Sequence, residues 1–204
     1  MVDLIPSSES VMNILQETGA YRKGHFIYPN GKHASHYFQM PLAFRYYDNA
    51  RVLSVGLSRL FRMEKAISKR LPKVSIISPS PGGIMVAFGV REALTAEQIY
   101  WAEMEEGKRQ FRQYISEGDV HPAIIVDDIL RSGRAIRETI ELVKGLGSEV
   151  IGIGTIVSFE DAPTEFDGIP VKSLTTFDVN FYETEDEWRG SRSASESEEQ
   201  KVRF

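Results

Sequence analysis

The stretch AIIVDDILRSGRA, from Ala123 to Ala135, carries the reading of this chain. Ala123 to Val126 is a short continuous apolar run, the pattern of a strand buried on both faces of a parallel sheet. Asp127 and Asp128 follow it directly, and the carboxyl end of a parallel strand is where open α/β sheets bind their ligands. Ile129 to Ala135 then joins strand to helix. It contains Ser132 and Gly133, so backbone N–H groups, a hydroxyl and a helix N-terminus converge on a place suited to a phosphate. Arg131 and Arg134 add positive charge, and the two carboxylates are placed to hold the hydroxyls of a ribose whose phosphate sits in the loop. Taken alone, the acidic pair fits a response-regulator-like domain, or a loop that binds nothing, equally well.

Outward from this segment the α/β pattern continues. Ile136, Ile140 and Val143 share a helix face that Gly145 or Gly147 can end, and Val150 to Val157 is a second buried strand, which predicts a strand, helix, strand unit with a right-handed crossover. Upstream, Val74 to Ser78 is a strand, followed by Pro79-Ser80-Pro81-Gly82-Gly83 and a helix over Ile84 to Leu94; Gln98 to Ala102 and Phe111 to Ile115 are further strands. Asn49 to Lys69 reads as a helix with Val52, Val55, Leu60 and Ile67 inward, and Ser7 to Ala20 as one with Val11, Ile14, Leu15 and Thr18 on one face. His25 to Tyr28 and His36 to Gln39 flank the turn Pro29-Asn30-Gly31 and predict a hairpin or hood. The expected architecture is α/β, a mostly parallel sheet flanked by helices, in a single domain over 1–188 with a small N-terminal hood over about 1–45. Residues 189–204, rich in Ser and Glu, read as a mobile tail.

Composition narrows the function classes. With 204 residues, 42% hydrophobic and 26% charged, the chain is of ordinary globular make-up and has room for one well-buried domain. No apolar run approaches the roughly 20 residues of a membrane span. MVDLIPSSES does not read as a secretory signal, so a cytoplasmic location is expected. The absence of cysteine excludes disulfides, thiolate metal sites and cysteine nucleophiles. A net charge of -5 argues against a broad nucleic-acid surface. His25, His36 and His121 have no metal-ligand spacing.

The string VDDILRSGRA resembles the phosphoribosyl-pyrophosphate signature of type I phosphoribosyltransferases, with Ala135 where that family usually has Thr or Ser. LQETGAYRKGHFIYPNGKHASHYFQ is similar to the N-terminal segment of orotate phosphoribosyltransferases, with the turn Asn30-Gly31-Lys32-His33-Ala34 and with Tyr37 and Gln39 in place. SPSPGGI resembles the pyrophosphate loop, AEMEEGKRQFRQYI the mobile catalytic hairpin that reaches a neighbouring subunit, and FDGIPVKSLTTFDVNFYETED the C-terminal segment. Together these span about Ile14 to Trp188.

The resemblance implies a Mg2+-dependent transfer of a phosphoribosyl group from phosphoribosyl pyrophosphate to a nucleobase, orotate first, by a homodimer that needs neither nucleic acid nor membrane. It places Asp127 and Asp128 on the ribose; Ile129, Leu130, Arg131, Ser132, Gly133, Arg134 and Ala135 around the 5′-phosphate; and Ser80, Pro81, Gly82 and Gly83 on the pyrophosphate. The Mg2+ would be held mainly by pyrophosphate, with Asp127 or Asp128 reaching it through water. Lys108, Arg109 and Arg112 would close over the site, and Tyr37, Phe38, Arg131 and Phe159 would meet the base. Phe159 stands where orotate enzymes have Arg, Arg131 where they have Thr, and Met104 where the hairpin commonly has a basic residue. Transfer to uracil, xanthine or a purine, and a non-catalytic sensor of phosphoribosyl pyrophosphate, are the alternative readings.

Overall fold

Ser7 accepts a hydrogen bond from the Ser10 N–H at 3.1 Å and so caps α1 (Ser8–Glu17), whose Val11 and Leu15 are fully buried. β1 (Tyr21–Ile27) and β2 (His33–Phe38) pair antiparallel, and α2 (Pro41–Phe44), α3 (Tyr47–Arg62) and α4 (Lys65–Ser68) lead into the larger sheet. That part comprises β3 (Ser75–Ser78), α5 (Ile84–Leu94), β4 (Gln98–Glu105), β5 (Lys108–Phe111), β6 (Ala123–Leu130), α6 (Arg134–Gly145), β7 (Val150–Phe159), β8 (Glu165–Phe166) and β9 (Ile169–Phe177). The chain then returns to the hood through β10 (Phe181–Tyr182), α7 (Glu185–Arg189) and β11 (Lys201–Arg203). The computed structural model describes residues 5–28 and 31–191, and the backbone of 201–203. Pro29 and Asn30 of the expected turn, and most of the expected tail, lie outside the described residues.

The larger sheet has the order β5-β4-β3-β6-β7-β9-β8, with β4, β3, β6, β7 and β9 parallel and the two outermost strands antiparallel to their neighbours. The smaller sheet, β10-β2-β1-β11, is the hood. The fold is therefore the α/β arrangement expected, a mostly parallel sheet flanked by helices with an N-terminal hood. Among the described residues no helix is long and apolar enough to cross a membrane.

Several local expectations are corrected. On α3 the buried stripe is Leu53, Leu57 and Phe61, spaced by four, whereas Val52 is exposed and Val55 and Leu60 are only half-buried. The neighbouring strand sets this phase: Gly152 and Gly154 of β7 leave room for Phe61 and Leu57, and a Cβ at Gly154 would lie 2.6 Å from the Phe61 ring. The expected single helix also breaks after Arg62, and only Ile67 of its far end is buried. The strand expected at Phe111 to Ile115 instead ends at Phe111, because β5 is the return arm of a hairpin with β4, turning at Glu106 and Gly107 through positive φ. Gly145 is the last residue of α6, and Gly147, at φ 73, is the left-handed residue past its end. Finally, β6 runs to Leu130, since Ile129 and Leu130 still pair with Val157 and Ser158 of β7. The acidic pair thus lies within the strand, and the connecting loop is only Arg131 to Gly133.

Candidate active site

β3 and β6 are adjacent parallel strands, so the loop after the first lies against the end of the second. Ser80 donates its hydroxyl to Asp127 Oδ1 at 2.7 Å and accepts the Gly83 N–H at 3.3 Å, which folds the Pro79 to Gly83 loop down onto the acidic pair. The fit demands glycine. A Cβ at Gly83 would lie 2.5 Å from Asp127 Oδ1, and one at Gly82 2.7 Å from Asp128 Oδ2.

Asp127 Oδ1 also accepts the Asp128 N–H at 3.0 Å, and Asp128 Oδ1 accepts the Ile129 N–H at 2.9 Å. Burial, and then the negative charge of Asp128, push the Asp127 carboxyl well above the usual carboxylate range, while the Ser80 hydrogen bond opposes them. Burial also raises Asp128. Two carboxylates held this close favour a proton, a cation or ligand hydroxyls at their open edge. Among the described residues no cluster of three or more acidic or histidine side chains stands ready to hold a metal by itself.

At the other end of the loop region, Gly133 takes φ 70 to begin α6, and a Cβ there would lie 2.5 Å from the Phe166 ring. The Arg134 N–H reaches Ser132 Oγ at 3.4 Å, leaving Ser132 and Arg134 exposed at the start of a helix of 12 residues. Its free N–H groups and dipole give a place for an anion beside the acidic pair.

The three hairpin cations have different surroundings. Arg109 reaches the loop: its guanidinium donates to the Pro79 carbonyl and to Glu138 Oε2 at 2.9 Å, with the side chain mostly buried. Glu138 also accepts from Arg134 at 2.6 Å, and these bonds, Arg134 first, hold its carboxyl below the usual range. Lys108 is exposed, and Arg112 pairs at 2.8 Å with Glu105 on its own hairpin. Within this one chain, then, Arg109 is the hairpin cation set against the glycine loop.

The base-side residues form an aromatic wall. Phe38 and Phe159 are buried with ring centroids 5.9 Å apart, and Phe38 lies edge-on to Phe177 at 5.3 Å. Tyr37, the preceding residue on β2, points the other way and packs on Phe26 at 5.5 Å and Tyr28 at 6.0 Å, so Tyr37 and Phe38 do not form one platform. Phe181 joins the groups: it lies 6.1 Å from Phe159, 5.4 Å from Tyr28, and beneath the Arg131 guanidinium at 3.7 Å. Burial, with help from Tyr37, pushes the Tyr28 hydroxyl up to about 12, against the pull of Arg131. Sequence reasoning named neither Tyr28, Phe177, Phe181 nor Glu138 for the site. Glu138 had a detectable signal, standing four residues after Arg134 on a predicted helix; the aromatics had none, since Tyr28 lies far along the chain from Phe177 and Phe181 and no spacing rule joins them.

Comparison with known proteins shows which family and fold the chain resembles. Residues 88–187 match the phosphoribosyl transferase domain. The chain is 32% identical over 178 residues to the orotate phosphoribosyltransferase of Caldanaerobacter subterraneus subsp. tengcongensis, covering 87% of this chain and 89% of that protein. It is 30% identical over 178 residues to the orotate phosphoribosyltransferase of Thermotoga maritima, covering 86% and 89%. Among solved structures it resembles the orotate phosphoribosyltransferase of Aeropyrum pernix, with TM-score 0.64 at 18% identity over 82% of this chain and 93% of that one. The adenine phosphoribosyltransferase of Thermoanaerobacter pseudethanolicus has a TM-score of 0.56 at 16% identity, over 70% and 88%. These two likenesses establish a shared fold.

Proposed function

The chain belongs to the orotate phosphoribosyltransferase family, a family of pentosyltransferases, and from that membership we propose that it joins orotate to phosphoribosyl pyrophosphate, giving orotidine monophosphate and pyrophosphate. The observation that carries this reading is the pair of buried Asp127 and half-buried Asp128 roofed by Gly82 and Gly83, with an anion-ready helix start beside it. In the proposed reaction the bond from ribose C1′ to the pyrophosphate oxygen breaks and its electron pair leaves with pyrophosphate. A base nitrogen forms the new bond to C1′ and gives up its proton. The protein's part is to hold the ribose on Asp127 and Asp128, the 5′-phosphate at Ser132 to Ala135 and the pyrophosphate at Ser80 to Gly83, and to bring Arg109 toward the developing charge.

The acidic pair suits Mg2+ in the same proposal. Two adjacent carboxylates, one buried and one half-buried, that resist ionising side by side are relieved by a cation, which Asp127 or Asp128 would reach through water. Mg2+ would serve to neutralise charge on the leaving pyrophosphate. We also propose a homodimer in the cytoplasm: Tyr47, Val52, Met85 and Phe88 are exposed along α3 and α5, an apolar surface of the kind that meets a partner.

Phe159 favours a second reading, transfer to a different base, because its side chain is buried where the resemblance calls for a cation. Pyrophosphate release with Mg2+ and phosphoribosyl pyrophosphate, measured across orotate, uracil, xanthine and adenine, separates the two. Turnover with orotate alone is the expected result, and turnover only with another base rejects orotate. Light scattering of the same preparation should give twice the chain mass, and an active monomer would reject the dimer.

A further inference from the structure

The cations around the cleft are matched unequally. Arg109 and Arg134 share Glu138, and Arg112 has Glu105. Among the described residues no carboxylate lies within ion-pair distance of Arg131; what it has is the Phe181 ring, 3.7 Å from the guanidinium carbon. A half-buried guanidinium laid on a ring keeps its in-plane N–H groups at the edge, and a planar fork of donors of that kind fits a carboxylate.

The two residues come from different parts of the molecule. Arg131 is the first residue after the β6 strand of the main sheet, whereas Phe181 begins β10, which pairs with Ala34 and His33 of β2 in the hood. That end of the hood is anchored by the Lys32–Glu183 ion pair at 2.5 Å and by Trp188, stacked on His25 at 3.8 Å. Phe181 therefore presents a fixed surface across the cleft to an arginine held by a three-residue loop. Beside it, Phe159 fills the wall with a neutral ring, so Arg131 is the cation that this wall offers.

We propose that Phe181 is a positioning residue for base recognition: its ring holds the Arg131 guanidinium flat so that the edge of that group meets a carboxylate on the base. The inference rests on the orotate reading above and extends it to a residue outside the phosphate and ribose contacts.

The test is steady-state kinetics on the full chain, with the KM for orotate and the KM for phosphoribosyl pyrophosphate measured separately. Phe181→Leu, which keeps an apolar side chain without the ring, should raise the KM for orotate about tenfold, the scale of losing a partly desolvated cation–π contact, and leave the other KM within twofold. Phe181→Tyr should stay near wild type. In an Arg131→Met background, Phe181→Leu should change the orotate KM by less than twofold, because the residue through which it acts is gone. Arg131→Lys, which keeps the charge without the planar fork, provides a second route if Phe181→Leu fails to fold, and it should raise the orotate KM by a similar factor.

An unchanged orotate KM in Phe181→Leu, an equal effect in the Arg131→Met background, or a wild-type KM in Arg131→Lys overturns the proposal while leaving orotate transfer standing. A wild type that turns over other bases and not orotate removes both. Orotate turnover in the wild type, with the orotate KM alone raised in Phe181→Leu and Arg131→Lys and not in Phe181→Tyr, supports both.

Discussion

On the phosphate side of the cleft, contiguous stretches do the work: Ser80 to Gly83 lie on Asp127 and Asp128, and Arg131 to Gly133 turn directly into α6. On the base side, Tyr28, Phe38, Phe159, Phe177 and Phe181 arrive from separate strands and loops and meet only through their rings. The phosphate side is made of backbone geometry. Its N–H groups, its left-handed Gly133 and its close glycine contacts tolerate few residue types. The base side is made of packed side-chain volume, which can be filled in many ways provided no polar group is left buried without a partner. One face of the site is therefore written in a short local code, and the other is free to change what it recognises.

The largest test of this contrast is Asp128→Asn. Hydrogen bonds to charged groups contribute roughly 1.5–3 kcal/mol, so turnover should fall by about a hundredfold, with the circular dichroism spectrum unchanged because the strand end is not needed for the core. A folded variant with the wild-type rate would break the phosphate half of the comparison.

The base half is tested by placing arginine where the family resemblance expects it, with Phe159→Arg combined with Arg131→Thr. Phe159 is buried among Phe38 and Phe181, so the new guanidinium would lose water without gaining a partner. The melting temperature should drop by about 4–10 °C, a loss of roughly 2–3 kcal/mol at this chain length, and orotate turnover should not exceed that of Arg131→Thr alone. An unchanged melting temperature with orotate turnover restored would mean that the wall obeys a local code after all.

A smaller effect sharpens the electrostatics of the acidic pair. Burial and Asp128 raise the folded-state pKa of Asp127 above its unfolded value, so the native state keeps that proton to higher pH than the unfolded chain does. Stability from this group is complete below the ordinary carboxylate range and is lost as pH rises through the raised value. Asp127→Asn removes that loss while keeping an acceptor for Ser80. In ligand-free protein it should melt about 2–4 °C above wild type at neutral pH, roughly 1 kcal/mol, with the gap closing as pH falls toward the carboxylate range. A gap that widens in acid would reverse the sign.

The amino-acid sequence by itself determined the parallel α/β core, the strand and helix around Ala123 to Ala135, and the glycine loop before Ile84. Each of these depends on apolar runs, caps and turn residues acting within a few positions of one another. The inward face of α3 was misread because Gly152 and Gly154, far along the chain, make the room that Leu57 and Phe61 fill. The extent of β6 past the acidic pair likewise depended on its pairing with β7. The tertiary structure alone decided that Arg109 turns to Glu138 and the Pro79 carbonyl, that Tyr37 and Phe38 face opposite ways, and that Phe181 lies under Arg131. Those contacts join residues with no spacing rule between them, and what selects them is the shape and charge that remain once the sheet and hood have packed.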